Sequence, residues 1–208
     1  RGALAGPMVV GAVILKKGAC FRRCEESALA DDEAIPTERS NLNGQSTYND
    51  IYSQIKDSKL LSPKKREELS TFIIQNCLCY SFFQVSAQEI DALGISACTQ
   101  KAFFGAVKAL KVAPEHILTD AFPINAFPNA IQTNIIAGDR ASLTISAASI
   151  VAKVFRDRLM CDFGKQNDYA GYEFSQHKGY GTKLHLEKLA QHGISDIHRQ
   201  TFIHFSNT

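Results

Sequence analysis

Gly138-Asp139-Arg140-Ala141-Ser142-Leu143-Thr144-Ile145-Ser146-Ala147-Ala148-Ser149-Ile150-Val151-Ala152-Lys153-Val154-Phe155-Arg156-Asp157-Arg158 is the stretch against which the whole chain is read. An acid follows the apolar Ile135-Ile136, and Ala147, Ile150, Val151, Val154 and Phe155 then recur at three- and four-residue spacing. That spacing puts them on one buried face of a helix. The small Ala147, Ala148 and Ala152 let such a helix press closely onto a sheet. Off the stripe stand Ser149, Lys153, Arg156 and Arg158. Hydroxyl and cationic groups beside an acid suit a site for phosphate and metal. The same pattern fits an ordinary amphipathic helix with a solvated basic face, and the stretch alone favours that plainer reading.

On either side, apolar runs alternate with helix signals. Residues 130–136 read as a strand ending one turn before Asp139, and residues 116–119 as a short strand ending at Asp120. A helix is expected over roughly 96–110, with Phe103, Ala106, Val107 and Leu110 inward and Pro114 closing it. Residues 77–85 read as a strand. Ser62-Pro63 opens another helix, with serine as cap and proline in the first position, and Leu69, Phe72 and Ile73 share its inner face. Residues 8–15 read as a buried strand entered through Gly6-Pro7, whereas the polar, irregular residues 18–50 read as an insertion. A segment rich in glycine and tyrosine at 168–181 precedes a last helix over roughly 182–192. Strands alternating with helices after residue 60 place the chain in the α/β class.

At 208 residues, 45% hydrophobic and 21% charged, the chain can bury a sizeable core without staples. The apolar run at 8–15 is too short to span a membrane, and no basic leader precedes it, so a cytoplasmic protein is expected. A net charge of +2 gives no bulk attraction for nucleic acid, but the cations are patchy. They gather at 56–66, 140–158 and 178–188, and a local cationic groove can still steer a polyanion. Lys64-Lys65-Arg66 reads as a solvated helix face. None of the six cysteines has CxxC spacing, and Cys77 and Cys79 read as small core hydrophobes.

Asp120 and Asp139 each stand at or just past a strand end, where ligands gather in α/β sheets. Two carboxylates there could hold Mg2+ or Mn2+, although either could instead form a turn or cap a helix. Asp157 lies four residues after Lys153, so a helix ion pair explains it. In His177-Lys178-Gly179-Tyr180-Gly181-Thr182, two glycines flank a ring beside cations. That suits a sugar or base with its phosphates, and equally a tight turn around a core tyrosine. Asp57-Ser58-Lys59 adds a hydroxyl and an ammonium ahead of the capped helix.

Together these pieces resemble ribonuclease HII, the type 2 ribonuclease H family, in its bacterial form. The resemblance is carried in order by Arg1-Gly2 with residues 3–10, Asp57-Ser58-Lys59 with residues 60–67, Leu118-Thr119-Asp120 and Gly138-Asp139. It continues through residues 146–153, Arg156-Asp157-Arg158, residues 177–186 and Ile197-His198-Arg199-Gln200-Thr201-Phe202. It implies a ribonuclease H-like fold, a mixed central sheet flanked by helices with a small C-terminal helical part. The catalytic domain would cover 1–164 and the substrate-contacting helical part 165–208.

The implied activity is Mg2+- or Mn2+-dependent cutting of the RNA strand in RNA/DNA hybrids, including 5′ to single ribonucleotides in duplex DNA, by two-metal chemistry in a monomer. Of the family's four acids, the third and fourth fall on Asp120 and Asp139. The turn that touches the ribose 2′-hydroxyl falls on Arg1 and Gly2, and the tyrosine that packs on the neighbouring deoxyribose falls on Tyr180. Lys59, Ser149, Lys153 and Arg156 are candidates for phosphate contacts. The family's adjacent Asp-Glu pair belongs to a strand ahead of Arg1, so cutting by these residues alone is expected to be weak or absent. Ala92 and Gly94 stand where many members carry Glu and Asn. A hybrid-binding module without catalysis, and another two-metal nuclease of the same fold, are the alternatives.

Overall fold

The computed structural model describes residues 2–16, 51–55 and 58–204; Arg1, Cys20, Cys24, Asp57 and the insertion expected over 18–50 lie outside the described residues. Strand β1 (Met8–Ile14) pairs with β2 (Cys79–Val85) in a two-stranded sheet. Between them, helix α1 (Pro63–Asn76) starts where its sequence requires. Ser62 is extended, its side chain accepts from the Lys65 amide, and proline occupies a first-turn position with no amide partner to lose. Leu69, Ser70 and Ile73 form its buried side, and Phe72 meets Tyr52 edge-on at 5.3 Å.

Helix α2 (Ala87–Lys108) begins well before the expected residue 96. Ser86 and Glu89 form a reciprocal capping box, which satisfies two amides at the helix start. Gly94, at φ 77° and ψ 157°, then breaks the helix into two pieces, a conformation that glycine takes at no steric cost. The inward face is Ile90, Cys98, Thr99, Ala102 and Ala106, while Phe103, Val107 and Leu110 are only half-buried. Beyond the break the inward residues are small, and Phe83 packs against Gly105, where a β-carbon would sit 2.3 Å from its ring.

Strands β3 (Ile117–Asp120) and β4 (Gln132–Ile135) are parallel, with Asp120 opposite Ile135. The stretch from Gly138 is two helices rather than one: α3 (Gly138–Ala141) and α4 (Leu143–Phe163). Ser142, extended at φ −120° and ψ 125°, separates them. Along α4, Ser146, Ala147, Ile150, Val151 and Val154 are buried, as the apolar spacing requires. Helices α5 (Phe174–His177) and α6 (Lys183–His192) complete the chain, with short 3-10 turns at Ala170–Tyr172 and Gln200–Phe202.

The chain forms two compact units. One comprises Ala12–Ser81 and Leu110–Val151; the other comprises Arg1–Gly11, Phe82–Ala109 and Ala152–Thr208. In the first, buried Gln132 holds the loop after β3, accepting from the Ile124 amide and donating to the Ile124 and Phe127 carbonyls. Among the described residues of the second, Ala5, Met160, Tyr172, Phe174 and Leu189 form one apolar cluster, and Met8, Val85, Ile90, Cys98 and Ala102 form another. Cys77, Cys79 and Cys98 are buried free thiols. No helix among the described residues is long and apolar enough to cross a membrane.

Candidate functional site

In the first unit, the end of β3 and the start of α3 bring the two aspartates into one corner. The Gly138 amide donates to Asp120 Oδ1 at 2.9 Å, so Asp120 is fixed against the residue that precedes Asp139. A β-carbon at Gly138 would meet Ile145 Cδ1 at 2.6 Å and Asp120 Cα at 3.5 Å, so glycine lets the start of α3 lie close against the end of β3. Ala121 and Ala137 flank this corner with φ of 69° and 53°, left-handed conformations that cost a non-glycine residue about 1–2 kcal/mol. Asp139 is buried, and its backbone carbonyl accepts from Ser146 Oγ at 2.5 Å.

Lys59 reaches Asp139 Oδ2 only loosely, Nζ to oxygen 3.8 Å, from an exposed position. Such a pair contributes little to stability and leaves the carboxylate open to another cation. Ser58 Oγ and Ser149 Oγ lie 3.1 Å apart. The turn that carries Ser58 and Lys59 is tied by Arg66, whose Nη1 donates to the Ser58 and Leu61 carbonyls at 3.0 and 2.6 Å. The expected solvated basic face therefore excludes Arg66: Lys64 is exposed and Lys65 pairs with Glu68, but Arg66 turns inward. Sequence spacing offered no sign of that role.

Oxygen donors of this kind suit a hard divalent cation. Asp120 and Asp139 fit as part of such a site, and no group of three or more His, Cys, Asp or Glu arranged to hold a metal ion occurs among the described residues.

In the second unit, an isolated antiparallel bridge joins Ala3 to Tyr180 and so places the residue after Gly2 beside the tyrosine. Gly2 is exposed, with nothing within 4 Å of where a β-carbon would stand. The Leu4 and Ala5 amides both donate to the Gly179 carbonyl, at 2.8 and 3.1 Å. Gly179 is at φ 80°, and a β-carbon there would lie 2.4 Å from the Ala5 carbonyl oxygen. Tyr180 is 38% exposed. Lys153 Nζ stands 4.8 Å and Arg156 Cζ 5.2 Å from its ring centroid, within cation–π range.

Lys153 also pairs with Asp157 at 2.7 Å, the helix ion pair expected from their spacing. Arg156, read from sequence as a phosphate contact, is buried instead. Its Nε, Nη1 and Nη2 donate to the carbonyls of Pro7, Lys178 and Ala5 at 3.2, 2.9 and 3.0 Å. Burial draws its pKa below the usual arginine range. Arg199, also buried, donates through Nε to the Gly6 carbonyl at 3.1 Å, and burial with Arg156 nearby brings it down to about 10. Two arginines thus take three successive carbonyls, residues 5 to 7, and hold the backbone that runs past Tyr180. Asp91 accepts from the Gln200 and Thr201 amides, so the 90–95 segment anchors the C-terminal turn.

The ribonuclease HII family profile matches residues 51–208. The chain belongs to the ribonuclease HII family. These are endoribonucleases of RNA/DNA hybrids, dependent on divalent metal. A ribonuclease HII of Dehalococcoides mccartyi is 38% identical over 202 residues, covering 97% of this chain and 81% of that protein. One from Clostridium perfringens is 37% identical over 203 residues, covering 98% of this chain but 63% of its own length. Among solved structures, the ribonuclease H2 of Pyrococcus horikoshii superposes with a TM-score of 0.66 at 24% identity, covering 97% of this chain and 89% of that one. That likeness shows the ribonuclease H fold, and the α/β class expected from the sequence holds.

Proposed function

We propose that this ribonuclease HII chain serves hydrolysis of the RNA strand in RNA/DNA hybrids and 5′ to single ribonucleotides in duplex DNA, with Asp120 and Asp139 as ligands of Mg2+ or Mn2+. The observation that carries the reading is the corner in which the Gly138 amide locks Asp120 beside Asp139. When bound, the divalent cations would supply an activated water and countercharge for the leaving 3′-oxygen.

The protein's own groups bind and orient. Asp120 keeps one oxygen on the Gly138 amide, which fixes the direction of the other. Lys59 offers an ammonium to phosphate, and the half-buried Ser149 hydroxyl, accepting from buried Ser58, has its own proton to donate to a phosphate oxygen. Beside Gly2, backbone groups can read a ribose 2′-hydroxyl directly. The Tyr180 ring would pack on the neighbouring deoxyribose, where a 2′-hydroxyl would crowd it, so the pair reads an RNA–DNA junction. Arg156 contributes by holding this arrangement rather than by touching phosphate.

A panel of labelled duplexes, offered to the chain with the family's Asp-Glu strand joined ahead of it, tests this: hybrid, DNA with one ribonucleotide, all-DNA and all-RNA, each with Mg2+ and Mn2+. Cutting confined to the first two, leaving 3′-hydroxyl and 5′-phosphate ends, is expected. Cutting of all-DNA duplex would assign a different nuclease of this fold. Hybrid binding without any cutting would leave a binding module.

A further inference from the structure

Three buried imidazoles, His177, His185 and His198, stand behind the Tyr180 loop. Their hydrogen bonds fix where each proton sits, because a backbone amide can only donate and a carbonyl can only accept. The Ser195 amide donates to His198 Nδ1 at 3.0 Å, so His198 carries its proton on Nε2. That nitrogen faces His185 Nε2 at 3.1 Å, which must therefore accept. His185 then carries its proton on Nδ1, which donates to the Tyr180 carbonyl at 3.0 Å. His177 is fixed independently: it accepts from the Gly179 amide on Nδ1 at 3.2 Å and donates from Nε2 to the Tyr172 carbonyl at 2.8 Å. Its ring stacks on His185 with centroids 4.2 Å apart.

From this relay we infer that His185 and His198 are positioning residues for junction recognition, a one-way hydrogen-bond chain from Ser195 that fixes the Tyr180 backbone and thereby its ring. The inference rests on Tyr180 reading the sugar, as proposed above. Every nitrogen of the two rings is used: an added proton on His185 Nε2 would face the His198 donor, and one on His198 Nδ1 would face the Ser195 amide, with the Ser195 hydroxyl at 2.7 Å as its acceptor. Burial agrees with this, drawing both histidines down to about 4. The same segment ties the other half of the junction reader, since the Arg199 amide donates to the Leu4 carbonyl at 2.8 Å and Ala5 bridges to His198. Residues 198 and 199 therefore reach both the Gly2 side and the Tyr180 side.

The test is fluorescence anisotropy of the chain without divalent metal, so that nothing is cut. It compares a DNA duplex holding one ribonucleotide with a hybrid of equal length whose one strand is all RNA. Tyr180→Ala and His185→Phe are each expected to lower the preference for the first duplex by about tenfold, within the range of aromatic stacking on a nucleotide. The double variant should lose no more than either single one. His185→Asn, which keeps an amide donor near the Tyr180 carbonyl, should retain most of the preference.

If Tyr180→Ala loses the preference while His185→Phe keeps it, or if their losses multiply, the positioning role is overturned and the sugar reading stands. An unchanged preference in Tyr180→Ala overturns both. Independently of any variant's folding, 15N imidazole spectra of the unmodified chain at pH 7.5 should show His185 protonated on Nδ1 and His198 on Nε2. The opposite tautomers, or a charged ring, would overturn the relay.

Discussion

Gly179→Ala is the sharpest perturbation of the turn that carries Tyr180. Alanine at φ 80° costs about 1–2 kcal/mol from its left-handed backbone alone. Its β-carbon would also sit 2.4 Å from the Ala5 carbonyl oxygen and 3.0 Å from the carbonyl carbon, so backbone must move. Ala5 cannot retreat freely, because Arg156 Nη2 holds its oxygen at 3.0 Å and the Leu4 and Ala5 amides both grip Gly179. Loss of two or three such bonds, each about 1 kcal/mol net, adds to the strain. The total is about 3–5 kcal/mol. Gly193→Ala is the comparison without a close contact: at φ 76° and ψ −163° alanine is strained by about 1–3 kcal/mol, but no atom lies within 4 Å of the added carbon. It should cost only the backbone strain. Urea denaturation of both variants and the parent at pH 7.5 gives the comparison. Equal losses, within about 0.5 kcal/mol, would show that the close approach of Gly179 to Ala5 does not constrain the turn.

Arg156→Leu should cost about 3–5 kcal/mol, because it strands three carbonyls taken by one buried guanidinium, and thermal melts will show it. Lys153→Ala, by contrast, should weaken duplex binding and flatten its salt dependence with little change in melting temperature. Stability should also fall in acid: with His185 and His198 held at about 4, the unfolded chain takes up protons first as pH drops from about 6.5. Their contribution is fully present above that pH, and on the order of 3 kcal/mol for each ring is lost by about pH 4, a loss that His185→Phe should reduce in denaturation curves taken across the range.

Much of this was legible in sequence because it is local. Ser62-Pro63 announces α1 by the chemistry of its own first turn, and the apolar spacing of 147–154 gives the buried face of α4 directly. Asp120 and Asp139 could be placed at strand ends without knowing their partners. The Ser86–Glu89 box was equally local, yet Gly94 concealed it, since a break within a helix looks like the loop before one. What escaped is long-range. Nothing in the neighbourhood of Arg156 shows that its partners are carbonyls of residues 5, 7 and 178, so a cation off the apolar stripe reads as solvent-facing. Arg66 misleads in the same way beside two lysines. His185 and His198, thirteen positions apart, meet only because the C-terminal segment returns to the Tyr180 loop.

Hybrid cleavage with Mg2+, by the protein carrying the family's Asp-Glu strand ahead of Arg1, tests the assignment of the acids most directly. Asp120→Asn and Asp139→Asn should each remove most of the turnover, with melting temperature and hybrid affinity nearly unchanged. Asp157→Asn, which removes the ion pair with Lys153, should keep most of it. Full activity in Asp139→Asn, or its loss in Asp157→Asn alone, would contradict the account.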